Sequence, residues 1–214
     1  MPTPPLTPPT TAEFAALGRE FGLTLDAATL ASIERTTSGV FTALQRLDEL
    51  SPTVTPIKYS RDGGRRPLRM RNPLNAWSWQ GTIRGAENGI LQGKTVVVKD
   101  NIAVARMPLT NGNALLTDYV PEFDATIVTR VLDAGGTIVG KATCENLCLS
   151  AGSHTAASGA VKNPHDPTRS SGGSSSGCAA LLAAGEVDLA LGGDQGGSIR
   201  TPAAWCGEIG RAHV

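Results

Sequence analysis

Two glycine-flanked serine turns near the end of the chain constrain its fold more than any other sequence feature. The first turn is residues 172–177, GGSSSG, and the second is residues 196–198, GGS. A helix-like run follows each turn, and the apolar, strand-like residues 187–191 lie between them. Glycine lets a backbone approach a ligand closely, and the free N–H groups at a helix start favour negative charge. The two turns therefore indicate a site where a serine hydroxyl reacts.

The balance of charges excludes several classes of partner. The 214 residues include 19 basic and 19 acidic side chains, which gives no basic surface for nucleic acid or for an anionic membrane. No apolar run approaches the roughly 18 residues that span a bilayer, and the first residues do not form a signal peptide. We therefore expect a cytoplasmic protein that acts on a small polar substrate.

The first part of the chain predicts a tail and two helices. Residues 1–11 are rich in proline and threonine, so we expect a flexible tail. Residues 12–76 begin with apolar side chains at helical spacing over 12–21 and 26–50, which predicts a helical hairpin before a linker. The expected N-caps are Thr11 and Asp26, and the expected stop between the helices is Gly22.

The linker, residues 51–71, carries a cluster of arginines. The cluster consists of Arg61, Arg65, Arg66, Arg69 and Arg71. An anion-binding patch is one interpretation, but a solvated linker in a chain of zero net charge is the one we adopt. We therefore expect these side chains to be exposed and without a functional role.

From residue 93 the sequence alternates between strand-like and helix-like runs. The expected strands are 95–98, 137–139 and 187–191, and the expected helices are 125–132 after an Asp124 cap, 145–149, 177–184 and 199–206. Such alternation predicts an α/β fold, in which helices cover a sheet.

Two local motifs suggest other chemistry. Residues 135–143, GGTIVGKAT, are similar to a phosphate-binding P-loop, but Ala142 stands where the magnesium-binding hydroxyl belongs. Cys144 and Cys148 have the spacing of half a metal site, but no second pair with zinc spacing follows. We therefore interpret the cysteines as structural or pocket-lining thiols.

A reactive serine needs a base to take its proton, and the sequence offers a histidine and a lysine for that role. Residues 173–177, GSSSG, match the nucleophile elbow of α/β-hydrolases with Ser175 as nucleophile, but that fold needs a later histidine, and only His213 follows. A buried lysine can serve instead, because burial disfavours its charged form. Lys99 is the candidate, since it ends the apolar run 95–98 where a strand delivers its last side chain to the edge of a sheet.

Five segments, in their order along the chain, resemble the motifs of the amidase signature family. They are residues 93–101 (GKTVVVKDN), 140–145 (GKATCE), 163–164 (NP), 172–177 (GGSSSG) and 192–200 (GGDQGGSIR). The chain looks most like nitrile-pathway and acetamidase-type amidases. The resemblance implies a mixed β-sheet covered by helices over residues 77–208, preceded by the helical region.

The resemblance also implies a Ser–Ser–Lys triad. Ser198 matches the nucleophile, Ser174 matches the bridging serine on a cis peptide bond, and Lys99 matches the base. Neutral Lys99 would take a proton from Ser174 and Ser174 one from Ser198, while Ser198 Oγ attacks an amide carbonyl and ammonia leaves. The family implies a small-molecule amide substrate, a homodimer for the full-length protein, and neither a cofactor nor a metal.

Further residues support this chemistry. The expected oxyanion hole consists of the backbone N–H groups of Gln195, Gly196, Gly197 and Ser198. By family position, Cys148 and Ser150 would line the acyl side of the substrate pocket. Asp194 and Arg200 are interpreted as a structural pair that frames the second turn, with an ordinary surface ion pair as the alternative.

The sequence leaves two other functions open, which are a glutamyl-tRNA amidotransferase component of the A type and a non-catalytic binding module. The N-terminal helical region and the Asp194-Gln195 pair favour a free-standing amidase. Residues 209–214, IGRAHV, match one reading frame of a common sequencing adapter. We therefore expect them to be non-native and the chain to be an N-terminal fragment that lacks part of its sheet and pocket.

Overall fold

A helical hairpin forms the first of two units of the chain, Met1–Thr53. The computed structural model describes residues 7–50 and 56–211. Helix α1 spans Thr11–Glu20 and helix α2 spans Ala27–Asp48, which confirms the two predicted helices. Parts of three predicted segments lie outside the described residues, namely 1–6 of the tail, 51–55 of the linker and 212–214 at the end of the chain. Of the helices in the described part, none combines the length and the hydrophobicity that crossing a bilayer requires.

The starts of both helices follow capping chemistry, with one correction. Asp26 Oδ1 accepts the N–H of Thr29 at 2.7 Å, so Asp26 caps α2 as predicted. The cap of α1 is Thr10 and not Thr11, because Thr10 and Glu13 exchange reciprocal side-chain and backbone hydrogen bonds. A glutamate three positions after Thr10 completes a capping box, and the choice of Thr11 was wrong by one residue.

A four-stranded mixed sheet organises the second unit, Val54–Val214. Its strands are β1 (Trp77–Arg84), β2 (Thr95–Lys99), β3 (Thr137–Ala142) and β4 (Leu189–Leu191). Their order across the sheet is β1-β3-β2-β4, with β1 antiparallel to β3 and the other neighbours parallel. The parallel strands β2, β3 and β4 therefore end at the same edge, where Lys99 and the second serine turn leave the sheet.

Helices cover both faces of this sheet, as the predicted fold class requires. They are α3 (Thr126–Asp133), α4 (Ser176–Ala183) and α5 (Arg200–Cys206). Side chains of α4 pack on one face against Val97 and Ala142, and those of α3 pack on the other face against Val96 and Val98. Helix α5 packs against α4. Burial of these apolar surfaces on both sides explains why strand β2 is an almost continuous run of valines.

The predicted linker contains a buried charge. The guanidinium of Arg61 donates two hydrogen bonds to the carboxylate of Asp124, at 3.0 and 2.5 Å, and each side chain is 2% exposed. Asp124 Oδ1 also accepts the N–H of Ala105 at 2.9 Å. The exposure predicted for Arg61 and the capping role predicted for Asp124 are both wrong, because the two residues neutralise each other inside the unit.

The helix predicted over residues 145–149 is a single 3₁₀ turn, Asn146–Cys148. Leu147 has a φ of 49° and Cys148 a φ of 59°, which is the left-handed region that side-chain-bearing residues seldom adopt. The apolar spacing suggested a helix, but these two residues end it after one turn. The bend directs Cys148 Sγ towards Asn111 Oδ1, 3.2 Å away.

Candidate active site

Lys99 and Ser174 meet in the interior of the second unit. Lys99 is the last residue of β2, and its Nζ donates a hydrogen bond of 2.7 Å to Ser174 Oγ. Both residues have no exposed surface. An ammonium buried in this way is costly unless polar groups surround it, so the contact indicates a built site rather than a surface lysine.

The first serine turn has the geometry that the resemblance implies. The Gly173–Ser174 peptide bond is cis, and Gly172 has a φ of 76°. A Cβ on Gly173 would lie 2.3 Å from the carbonyl oxygen of Gly152, so no larger residue fits there. The glycines thus bring the backbone of Ser174 close to the neighbouring loop and direct its hydroxyl towards Lys99.

Ser175 joins the first turn to the second. Its N–H donates to the carbonyl of Ser198 at 3.1 Å. Its hydroxyl donates to the carbonyl of Gly193 and accepts the N–H of Gly193, both at 3.3 Å. The Ser175 hydroxyl is therefore engaged with backbone, which does not favour it as the nucleophile of an α/β-hydrolase elbow. The histidine of that alternative, His213, lies outside the described residues.

Asp194 holds the second turn together. Its carboxylate accepts the N–H groups of Gly197 at 2.7 Å, Ile199 at 3.0 Å and Arg200 at 3.1 Å. The Arg200 guanidinium adds two hydrogen bonds, at 3.1 and 2.9 Å. The Arg200 hydrogen bonds, together with the backbone N–H donors, hold the pKa of Asp194 well below its usual range. The Asp194 side chain is 2% exposed, so it is a structural residue of the turn rather than half of a surface ion pair.

The position of Asp194 corrects one member of the expected oxyanion hole. Because the Gly197 N–H donates to Asp194, it is not free to bind a developing oxyanion. In the described part of the chain, the N–H groups of Gln195, Gly196 and Ser198 make no hydrogen bond. These three donors remain available from the predicted set of four.

Gly193, in the segment that leads into the second turn, lies beside Lys99, although Ser198 and Ser174 are not directly bonded. A Cβ built on Gly193 would lie 4.0 Å from Lys99 Nζ and 4.0 Å from Gln195 Nε2. Ser198 is half-buried, and among the described residues its hydroxyl has no hydrogen bond to Ser174. The geometry therefore shows the Lys99–Ser174 contact directly, and it connects Ser198 to the first turn through the N–H of Ser175.

Two cysteines face the same corner of the site. Cys144 Sγ and Cys148 Sγ lie 3.8 and 3.2 Å from the same oxygen, Asn111 Oδ1. A hydrogen bond from Cys144 lowers the pKa of the Cys148 thiol, whereas the same contact and burial raise the pKa of Cys144. The Cys148 thiol also interacts with Lys99, so this predicted pocket residue lies near Lys99. The described residues contain no cluster of three or more metal-binding side chains.

Ser150 and Glu145 support the loop beneath the first turn. The hydroxyl of Ser150, the other predicted pocket residue, accepts the N–H of Gly152 at 3.1 Å and so shapes its own loop.

Glu145 was not singled out from the sequence, yet its N–H donates to the carbonyl of Ser174 at 3.2 Å. Its buried carboxylate accepts the N–H and the hydroxyl of Thr155 at 3.1 and 2.7 Å. The position of Glu145 in the family-like segment 140–145 could have identified it from the sequence.

A family model described as Amidase matches residues 73–211, a range that includes β2 and both serine turns. The chain belongs to the amidase family.

Two relatives illustrate the range of the amidase family. An enantioselective amidase of Rhodococcus rhodochrous is 39% identical over 211 residues, which are 96% of this chain and 40% of the relative. The A-type component of the glutamyl-tRNA(Gln) amidotransferase of Haloarcula marismortui is 52% identical over 136 residues, which are 64% of this chain and 32% of the relative. The chain therefore spans well under half of either relative. The similarity to the Rhodococcus enzyme includes the N-terminal helices.

Solved amidase-family structures have the same fold. The A-type component of the glutamyl-tRNA(Gln) amidotransferase of Thermotoga maritima matches with a TM-score of 0.55 at 40% identity, covering 56% of this chain and 27% of that one. The peptide amidase of Stenotrophomonas maltophilia matches with a TM-score of 0.51 at 36% identity, covering 54% and 25%. The matches support the mixed sheet with its helices as an amidase-family architecture.

Proposed function

We propose that this chain is the triad-bearing part of an amidase that hydrolyses a carboxylic acid amide to a carboxylate and ammonia. The observation that carries the proposal is the buried 2.7 Å contact between Lys99 Nζ and Ser174 Oγ. A buried lysine against a serine hydroxyl, next to a second serine on a glycine turn, fits a proton relay to a nucleophile.

The proposed reaction proceeds in two half-reactions. Neutral Lys99 takes the proton of Ser174, Ser174 takes the proton of Ser198, and Ser198 Oγ bonds to the carbonyl carbon. The relayed proton passes to the amide nitrogen as the C–N bond breaks, and ammonia leaves. Water then attacks the acyl carbon and gives a proton to the same relay. The bond between the acyl carbon and Ser198 Oγ breaks, the relay returns the proton to Ser198 Oγ, and the carboxylate leaves.

The N–H groups of the second turn would stabilise the tetrahedral intermediate. Within residues 7–50 and 56–211, nothing accepts the N–H groups of Gln195, Gly196 and Ser198, and Asp194 keeps the turn in the conformation that presents them. Elsewhere, one such donor is worth about 100 to 1000-fold in rate. We assign the acyl side of the pocket to Cys148 and Ser150, and the amidase part of the chain to residues 77–208.

Ammonia release tests the proposal on the protein expressed from its complete gene. With simple primary amides we expect release that depends on the enzyme and falls at least about 1000-fold in Ser198→Ala. The matched control is Ser38→Ala, because the Ser38 hydroxyl donates to the carbonyl of Arg35 on an exposed helix face. Absence of ammonia from all amides, or equal rates in Ser198→Ala, would refute the proposal.

The amidotransferase component is the alternative, and the 52% identity to the Haloarcula protein favours it over other candidates. The match of 96% of the chain to the Rhodococcus amidase favours the free-standing enzyme. Ammonia release without added partner proteins would support the amidase. A requirement for a partner protein would support the amidotransferase, and normal function in Ser198→Ala would support a non-catalytic binding module.

The proposal also covers the location and the oligomeric state of the protein. We place the protein in the cytoplasm as a homodimer that binds a small amide and neither nucleic acid nor membrane. The equal numbers of basic and acidic residues, 19 each, support the absence of a polyanionic partner. Cell fractionation and light scattering on the complete protein test the location and the assembly.

A further inference from the structure

A second buried lysine lies on the strand next to Lys99, and the reaction above does not use it. Lys141 is in β3, and neither Lys141 nor Lys99 has any exposed surface. Its segment, residues 140–145, was one of the motifs in the sequence. A buried lysine that neither reacts nor reaches solvent requires a reason, because burial of an ammonium is costly.

The two lysines point to opposite faces of the sheet. Lys99 pairs with Ala142 and Val98 pairs with Lys141 in the parallel register of β2 and β3. Successive side chains of a strand alternate between faces, so Lys141 shares the face of Val98, whereas Lys99 shares the face of Ala142 and Ser174. Lys141 therefore cannot replace Lys99 as the base.

Lys141 is bound to the residue that follows Lys99. Its Nζ lies 3.1 Å from Asp100 Oδ1 and donates to the carbonyls of Asp100 and Pro108 at 3.2 and 3.0 Å. The other carboxylate oxygen of Asp100 accepts the N–H of Thr110 at 3.2 Å and the Thr110 hydroxyl. All three hydrogens of the ammonium thus have an acceptor, and both Asp100 oxygens have a partner.

The pair also fixes the backbone at the end of β2. The N–H of Asp100 donates to the carbonyl of Ala142 at 2.9 Å, which continues the pairing of β2 with β3 past Lys99. Lys141 is held by the carbonyl of Asp100 itself. The two residues therefore clamp the Lys99–Asp100 peptide on the face opposite Ser174.

The titratable groups around Lys99 decide how the charge of the pair acts on it. The Ser174 hydroxyl and the thiols of Cys144, Cys148 and Cys178 lie near Lys99. The buried Glu145 carboxylate lies beneath the same turn, where the Ser176 hydroxyl and the N–H groups of His154 and Thr155 donate to it. Burial lowers the pKa of Lys141, and the Asp100 carboxylate opposes that shift. Asp100 and Lys141 together have no net charge when both are ionised.

We propose that Lys141 is a positioning residue for the Lys99 base: the Lys141 ammonium neutralises Asp100, so that the carboxylate next to Lys99 does not hold a proton on it. The inference rests on the proposed function in taking Lys99 as the base. Without Lys141, the buried carboxylate of Asp100 would favour the charged form of its neighbour. If the pair only supported the fold, removing the charge of Lys141 would not change the protonation of Lys99.

The test is a pH titration of Lys99 by NMR in the protein expressed from its complete gene, with ¹³C-labelled lysine. The Lys99 signal is assigned by its loss in Lys99→Arg. In Lys141→Met we expect the titration midpoint of Lys99 to move up by about 1 pH unit. In the double variant Asp100→Asn/Lys141→Met, which removes both charges, we expect the midpoint to return to that of the wild type. Lys141→Arg, which keeps the charge, should not move it.

Matched variants separate charge from damage to the fold. Lys94→Met removes an exposed lysine and should leave the Lys99 midpoint unchanged. An unchanged midpoint in Lys141→Met, or the same displacement in the single and double variants, would overturn the inference. If Lys141→Met does not fold, a displacement in Lys141→Arg as large as about 1 unit would overturn it instead. The titration needs no turnover, so a failure of amide hydrolysis refutes the proposed function and leaves this measurement intact.

Discussion

Lys99 Nζ and Ser174 Oγ lie 2.7 Å apart although 75 positions separate them in the sequence. The sheet makes this contact possible: β2 delivers Lys99 to its edge, and α4 begins two residues after Ser174 on the same face. The Ser175 N–H donates to the carbonyl of Ser198, and the Ser175 hydroxyl is bonded to the backbone of Gly193, so Ser175 ties the second serine turn and the residues before it to the first turn.

Replacing the base should remove activity without removing the fold. We expect Lys99→Met to lower the kcat of amide hydrolysis by at least about 100-fold, because a positioned base contributes about 100 to 10,000-fold. Lys94→Met is the control, since Lys94 makes an exposed ion pair with Asp188 outside the site. Steady-state kinetics check the prediction. Equal kcat values for Lys99→Met and the wild type would exclude Lys99 as the base.

Loss of Asp194 should disorder the second turn. Asp194→Ala removes the acceptor of three backbone N–H groups, and we expect kcat to fall by about 100-fold because a displacement of about 1 Å has effects of that size. Asp166→Ala is the matched control. Asp166 also accepts a backbone N–H and pairs with an arginine, but in an exposed turn. Similar rates for the two variants would show that the turn does not depend on Asp194.

The buried Arg61–Asp124 pair predicts a large effect on stability. Arg61→Met leaves the carboxylate of Asp124 buried and uncompensated, so we expect the free energy of unfolding to fall by about 3 to 5 kcal/mol. Lys58→Met breaks an exposed pair with Asp133 and should cost no more than about 1 kcal/mol. Urea denaturation measures both variants. A loss below about 1 kcal/mol for Arg61→Met would contradict the buried pair.

Asp188 predicts how stability changes in acid. The N–H and hydroxyl of Thr95 and the Lys94 ammonium lower the pKa of Asp188 to about 2. Because the folded-state pKa lies below that of an unfolded aspartate, about 3.9, this carboxylate stabilises the fold above about pH 4 and ceases to do so as the pH falls towards 2. Thermal melts between these pH values should show a smaller loss of stability in Asp188→Asn than in the wild type. A parallel pH dependence of the two proteins would be evidence against this role.

Much of the fold and the candidate site could be predicted from the sequence, because local patterns encode them. Lys99 ends a run of valines, and the two glycine-serine turns mark helix starts, so the alternation of strands and helices followed directly. Strand β1 did not. Its pairing with β3 shifts register between Gln80 and Ile83, and its side chains do not alternate regularly between buried and exposed.

The features that sequence analysis missed depend on long-range partners. Nothing near Arg61 indicates that Asp124, 63 positions away, buries its charge. The glycine pattern of the second turn suggested four free N–H groups, but it could not show that Asp194 occupies that of Gly197. The roles of Lys99, Ser174 and Ser198 in catalysis stay predictions, because the structure gives their positions and not their chemistry.

Covalent labelling of the nucleophile tests the central claim most directly. A fluorophosphonate probe reacts with an activated serine by forming an O–P bond and releasing fluoride, and peptide mass spectrometry locates the adduct. We expect the adduct on Ser198, and we expect no adduct in Lys99→Met. An adduct on Ser175, or equal labelling of Ser198 in Lys99→Met, would contradict the proposed Ser–Ser–Lys relay.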